Sequence, residues 1–324
     1  TGGIVQNLPG MGVRGRCSRS SIMVGLFRFF SVFPLWLLQG MGAVAGWATY
    51  LLAPSYRRRW NDNRAQAGLT AGQVRGAVAH AGRMIFELPR LWLGRPVPYR
   101  WTGLEHVERA YGARRGIVFL TPHMGCFEIT AQAMAETFGP QYGDLTVMYR
   151  PARQKALADM MVHVRNRPHL RTVTTTLTGV RQMIKVLRKG EAVGVLPDHV
   201  PPEGQGVWAP FFGRPAYTMT LATKLVQQTG AEVIVIWGER LSWGRGYVLH
   251  CSPLSAPMPE GLEAGVAHIN HEMERLILSN PNQYMWSYAR YRRPRGQPEP
   301  ARAATAPEGG TGVPPQSGQG NGHA

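Results

Sequence analysis

The strongest pattern in the chain is an apolar stretch without a charged residue, Phe29 to Tyr56, followed at once by Arg57, Arg58 and Arg59. It contains Phe29, Phe30, Val32, Phe33, Leu35, Trp36, Leu37, Leu38, Trp47, Leu51 and Leu52. Roughly 20 such residues suffice to cross a bilayer. Basic residues just after the run place its C-terminal side in the cytoplasm. Pro34 and Gln39 interrupt it, so a helix lying in the interface is the alternative to a span. The basic cluster follows the run rather than preceding it, which fits an uncleaved anchor better than a signal peptide.

Residues 70–93 have helical periodicity. Val74, Val78, Met84, Ile85, Leu88 and Leu91 form an apolar face, with Arg75, Arg83 and Arg90 between them. From about residue 100 the period changes, and short apolar runs alternate with helical segments. The pattern predicts strands at 117–121, 145–149, 171–174, 192–196, 232–237 and 247–251. It predicts helices at 127–137, 154–166, 178–188, 219–229 and 262–279. Such alternation implies an α/β fold with a mostly parallel sheet flanked by helices. The expected organisation is a disordered or extraneous segment at 1–22, with Met23 as the natural start, a membrane anchor helix at 23–56, a catalytic domain at 57–295 and a Pro- and Gly-rich disordered tail at 296–324.

Composition adds one constraint. The net charge is +17, carried almost wholly by Arg, since Lys occurs only at 155, 185, 189 and 224. A basic chain suits nucleic acid, an anionic membrane or an anionic substrate. The aromatic-interleaved basic motifs of RNA-binding modules are missing, and a nucleic-acid binder has no use for the apolar run. The three cysteines, Cys17, Cys126 and Cys251, form no zinc or disulfide pattern.

The sharpest chemical signal is Thr121-Pro122-His123-Met124-Gly125-Cys126-Phe127-Glu128. It joins the end of a buried-type strand to the start of a helix, where α/β folds build their sites. On one continuous helix His123 and Glu128 would point in different directions. With His123 in the loop and Glu128 in the first helical turn, a tight turn at Gly125 brings them together. A neutral imidazole can take a proton from an alcohol, and a carboxylate on its other nitrogen fixes the tautomer. Cys126 is the less favoured nucleophile, because Cys is commonly a small buried residue. Three further clusters follow. Tyr149-Arg150-Pro151 ends a strand, and Arg150 suits phosphate. Pro197-Asp198-His199 follows another strand, and an aromatic stretch from Val207 to Gly213 comes next, as a cover for an acyl chain or a cap on the core. Gln283-Tyr284-Met285-Trp286 with Arg290, Arg292, Arg293 and Arg295 has the mixture found at the lipid headgroup level.

In this order the blocks resemble the late acyltransferases of lipid A biosynthesis, the lauroyl and myristoyl transferases of Gram-negative bacteria. The resemblance runs from about Met23 to Gly296. It rests on the hydrophobic N-terminal segment, His123-x4-Glu128, Tyr149-Arg150-Pro151, Pro197-Asp198, Pro210-Phe211-Phe212-Gly213 and Pro281-Asn282-Gln283-Tyr284-Met285-Trp286. It implies a glycerophosphate-acyltransferase-like fold and an inner-membrane enzyme facing the cytoplasm. The acyl donor would be an acyl carrier protein thioester. The acceptor would be an anionic glycolipid, the Kdo-bearing lipid A precursor. No cofactor or metal is implied. His123 would be the general base supported by Glu128, with Arg150, Asp198, Gly125 and Tyr149 binding substrate. One departure is His199, where the family commonly carries Gln. Transfer to another membrane lipid, such as a phosphatidylinositol mannoside, is the nearest alternative. A scaffold without activity and a non-catalytic basic binding protein are the readings outside that class.

Overall fold

The computed structural model describes residues 19–149 and 167–297. The first apolar run is not one helix. Helix α1 (Arg19–Ser31) ends before Pro34, and α2 (Leu35–Leu52) begins after it. Pro34 lacks an N–H and is tolerated only at a helix start, so it divides the run. Pro54 does the same for α3 (Pro54–Gln66). The expected single helix over 23–56 is therefore corrected to two helices and the start of a third.

Helix α2 is held against the rest of the protein along one face. Leu35, Leu38, Gln39, Gly42 and Gly46 are buried. Gly42 and Gly46 pack backbone to backbone on Gly82 and Val78 of α5 (Gly76–Phe86), and a Cβ at any of the three glycines would overlap the opposing main chain. The other face leaves Trp36, Val44, Leu51 and Leu52 exposed. Among the described residues, α2 is one helix long and apolar enough to cross a bilayer.

The helix expected over 70–93 forms as three pieces: α4 (Ala71–Val74), α5, and α6 (Leu88–Leu93). Thr70 and Gln73 build a capping box that starts the first piece. Pro89 removes a donor near the junction of the last two. Val74, Val78 and Leu91 are buried as expected of the apolar face, whereas Ile85 is exposed.

The core is a seven-stranded sheet, among the described residues, built from β1 (Tyr99–Thr102), β2 (Ile117–Leu120), β3 (Leu145–Tyr149), β4 (Leu170–Thr174), β5 (Ala192–Val195), β8 (Glu232–Arg240) and β9 (Tyr247–Pro253). Its order is β1-β9-β8-β2-β5-β3-β4, and every pairing is parallel except β8 with β9. Side chains alternate across it. Ile117 and Phe119 join Val107, Tyr111, Met134 and Phe138, from α7 (Leu104–Gly112) and α8 (Phe127–Tyr142). Val118 and Leu120 join a cluster on the opposite face. That cluster is filled by Met183 and Leu187 of α9 (Leu177–Arg188), Leu225 of α10 (Leu221–Thr229) and Ile269, Met273 and Ile277 of α11 (Leu262–Ser279). The fold is thus mixed α/β, with a mostly parallel sheet between helices.

Two parts of the sheet system carry no clear sequence signal. β1 is a short edge strand of alternating exposure. The aromatic stretch after residue 206 is not a loop but a hairpin, β6 (Gly206–Phe211) and β7 (Arg214–Met219). Its two-residue turn places Phe212 and Gly213 at positive φ, 48° and 73°, the backbone that matches the twist of antiparallel strands. Met219, expected at a helix start, therefore ends a strand. Phe211 and Tyr217 are buried, so the hairpin caps the core. The helix expected over 154–166 lies outside the described residues.

Candidate active site

β2 and β5 are neighbours, parallel, with Leu120 opposite Val195. His123 and Asp198 each lie three residues further along, so the register carries both to the same point on the carboxyl edge of the sheet. There Asp198 holds His123 twice. Its Oδ1 lies 2.7 Å from the ring Nδ1, and its Oδ2 accepts the His123 backbone N–H at 2.9 Å. Asp198 is 1% exposed. Burial alone would push its carboxyl up, but the charge and hydrogen bonds of His123 outweigh this and hold it below the usual carboxylate range. An ionised Asp198 accepts a hydrogen bond from Nδ1–H, which keeps the proton on Nδ1 and leaves Nε2 with the lone pair.

The expected pairing of His123 with Glu128 is therefore corrected on the ring nitrogen Nδ1, where the carboxylate is that of Asp198. Glu128 sits in the first turn of α8, buried, and accepts the indole N–H of Trp92 at 3.2 Å. The physical reason is register. The bond from Asp198 follows from two adjacent parallel strands that end level, which a spacing along one strand–loop–helix segment does not encode.

The loop that carries His123 is clamped from two sides. The His123 carbonyl accepts from Met285 N–H at 3.2 Å, and Gly125 N–H donates to Gln283 O at 2.9 Å. Cys126 N–H donates to Gly238 O at 2.8 Å. Gly125 has φ +57°, and a Cβ there would overlap the Gly238 carbonyl. Its amide is already committed to Gln283. Tyr284 and Trp286 are 4% and 1% exposed and Arg290 is 2% exposed, which corrects the expectation that this segment lies at lipid headgroups. The segment instead forms the wall that positions the histidine loop. Arg292, Arg293 and Arg295 are exposed.

Behind the loop lies a buried polar network that the sequence did not announce. Arg240 forms an ion pair with Glu87, donating Nε to Oε2 at 2.7 Å and a second bond to Oε1. It also donates to Gly125 O at 2.8 Å, and its Nη1 lies 2.9 Å from Nδ1 of His80. Tyr247 donates its hydroxyl to Glu87 Oε2 at 2.9 Å. Burial, and then the positive charges of Arg240 and Arg83, keep His80 neutral. Burial, and then the negative charge of Glu87, push the Cys126 thiol well above its ordinary value. That removes the thiolate a cysteine nucleophile would need. The only sequence trace of this network is Glu87, a charged residue within an apolar helical face.

Of the remaining candidates, β3 pairs with β5 and ends at Tyr149 on the same edge as β2. Arg150 lies outside the described residues.

A histidine gripped by a buried carboxylate at the carboxyl edge of a parallel sheet is an arrangement with the chemistry to take a proton from a hydroxyl. The family model of the bacterial lipid A biosynthesis acyltransferases matches residues 73–293, and the chain belongs to that family. It is 30% identical over 205 residues to the lipid A biosynthesis lauroyltransferase of Escherichia coli, covering 61% of this chain and 65% of that one. It is 25% identical over 197 residues to the palmitoleoyltransferase of the same pathway in Escherichia coli, covering 60% and 62%. It is 24% identical over 184 residues to a lipid A biosynthesis acyltransferase of Haemophilus influenzae, covering 57% and 56%. The matched region thus spans somewhat under two thirds of each relative.

Proposed function

We propose that this protein transfers a fatty acyl chain from an acyl carrier protein thioester to a hydroxyl of a Kdo-bearing lipid A precursor. The observation that carries the reading is the double grip of Asp198 on His123, taken with family membership. His123 Nε2 accepts the proton of the substrate hydroxyl as its oxygen attacks the thioester carbonyl. Asp198 stabilises the imidazolium that forms. Collapse of the tetrahedral intermediate breaks the carbon–sulfur bond, and the thiolate leaves with the proton from Nε2. General-base help of this kind is worth roughly 10²–10⁴ in rate.

Glu128 supports the site from the first turn of α8, and Gly125 shapes the turn that presents His123. Tyr149 and Arg150 contact the substrate, with the guanidinium on a phosphate or on the developing oxyanion. The fold is of the glycerophosphate-acyltransferase type. Its catalytic unit spans 57–295, and the segment before it serves as membrane attachment. The exposed apolar face of α2, with Arg57, Arg58 and Arg59 beyond it, supports attachment from the cytoplasmic side of the inner membrane. The positive charge favours encounter with an acidic carrier protein, a phosphorylated acceptor and an anionic leaflet.

The test is a transfer assay in detergent with labelled acyl carrier protein thioesters and the Kdo-bearing precursor. Wild type transfers label and His123→Ala does not. No transfer by wild type at any chain length overturns the acceptor or donor named here, and a screen of total membrane lipids then tests other acceptors.

A further inference from the structure

The ring of His199 lies flat on the ring of His123, with centroids 3.4 Å apart and planes inclined by 3°. Tyr288 covers the other face of His199, at 3.8 Å and 13°. The Tyr288 hydroxyl accepts the Val200 N–H at 3.0 Å, so the outer ring of the stack is tied back to the loop that bears His199. Asp198 and His199 are consecutive. One loop therefore supplies both constraints on His123, a hydrogen bond in the plane of its ring and a flat surface against its face.

We propose that His199 is a positioning residue for His123: its ring sets the plane of the His123 imidazole, keeps Nδ1 on Asp198 and leaves Nε2 to meet the substrate hydroxyl. The proposal rests on the reading of His123 as the general base. A hydrogen bond at Nδ1 fixes one point of an imidazole, but the ring can still rock about that bond or turn about Cβ–Cγ. A turn would put a carbon where Nδ1 meets Asp198. A ring stacked at van der Waals distance opposes both motions, and Tyr288 keeps that ring from yielding.

The charge state of His199 fits this part. The titratable and charged groups that face it are Asp198, His123, Tyr288 and Arg290. Burial and the positive charges of His123 and Arg290 outweigh the pull of Asp198 and lower His199 to about 3. His199 is then neutral when His123 takes up a proton during the reaction. Two stacked imidazolium rings would repel, whereas a neutral π-face stabilises a cation against it. The Nε2 of His199 is buried and has no hydrogen-bond partner among the described residues, consistent with a side chain used for its face.

The experiment compares wild type, His199→Ala and His199→Phe, each full length in detergent. The readouts are kcat, KM and the ¹⁵N spectrum of the His123 ring, which reports the nitrogen that carries the proton. Removing the plate should lower kcat by about tenfold or more, the scale of lost orientation, with little change in KM. It should also turn a single Nδ1-protonated signal into exchanging tautomers. The Phe variant, which keeps a flat face without nitrogen, should recover most of kcat and the single signal. Unchanged kcat and spectrum in His199→Ala overturn the proposal. Equal loss in both variants with an unchanged His123 spectrum also overturns it, because the nitrogen of His199 and not its face would then matter. Wild type that transfers no acyl chain defeats the reading of the reaction, while the ¹⁵N comparison still decides the stack.

Discussion

Asp198 bonds to His123 through both carboxylate oxygens, one at the ring Nδ1 and one at the backbone amide. A side chain that fixes a residue's main chain and its ring together leaves little freedom for either. Replacing it by Asn keeps the shape but offers an amide in place of a charge, and no longer stabilises the imidazolium. Asp198→Asn should lower kcat by on the order of 10²–10⁴ with a much smaller change in KM. Steady-state kinetics on the acyl carrier protein substrate measure this. A variant within twofold of wild type would remove Asp198 from the proton-transfer centre.

Gly125 is the residue whose backbone the turn requires. At φ +57°, with the Gly238 carbonyl where a Cβ would stand, Gly125→Ala must move the loop. His123 should lose its alignment and activity should fall steeply. The global fold should persist, since β2 ends at Leu120, before the turn. Activity and far-UV circular dichroism on one preparation separate the two effects.

The Glu87–Arg240 pair is buried on both sides. Breaking one partner leaves a charge without compensation, at a cost of about 3–5 kcal/mol. Glu87→Gln and Arg240→Met should each destabilise strongly. The double replacement should recover part of the loss, as urea midpoints of the three variants would show. The Arg240 variant should also lose activity beyond its loss of stability, because it frees the Gly125 carbonyl.

His80 and His199 are both held below their ordinary range, His199 at about 3. In the unfolded chain a histidine titrates near ~6.5. Between the folded and unfolded values the unfolded state binds more protons, so stability rises with pH across that window. As pH falls below ~6.5 the melting temperature should drop, with each silenced histidine contributing up to about 1.4 kcal/mol per pH unit. His80→Gln should flatten this slope. A wild-type melting temperature that stays level from pH 7 to pH 5 would contradict it.

Gly42, Gly46 and Gly82 let α2 and α5 meet at backbone distance. Gly82→Val should force the helices apart and cost about 1–3 kcal/mol or more. A membrane helix independent of the domain would tolerate the change with no shift in melting temperature.

Hydrophobic periodicity located most of the sheet, because a strand buried on both faces is a run of Val, Ile and Leu that local sequence states plainly. β3 and α11 have the bounds expected, and β2, β5, β8 and β9 differ only at their ends. The hairpin β6–β7 was hidden because its turn is Phe212-Gly213 rather than a polar pair. The anchor expected as one helix over 23–56 forms as two helices and the start of a third, because Pro34 and Pro54 each stand where a new helix begins. His123 was legible from the sequence, since it follows a strand and precedes a helix. Its partner was not. The contact with Asp198 depends on β2 and β5 being neighbours in parallel register, and the stacking of His199 depends on that same juxtaposition. So does the placement of Gln283 and Met285 against the loop. The sequence alone therefore determined the α/β pattern, the family and the histidine proposed as the base, because each is written in residues close together along the chain. Only the tertiary structure decided which carboxylate holds that histidine and what lies against its ring, because strand order and register bring residues 75 or more positions apart within hydrogen-bond reach.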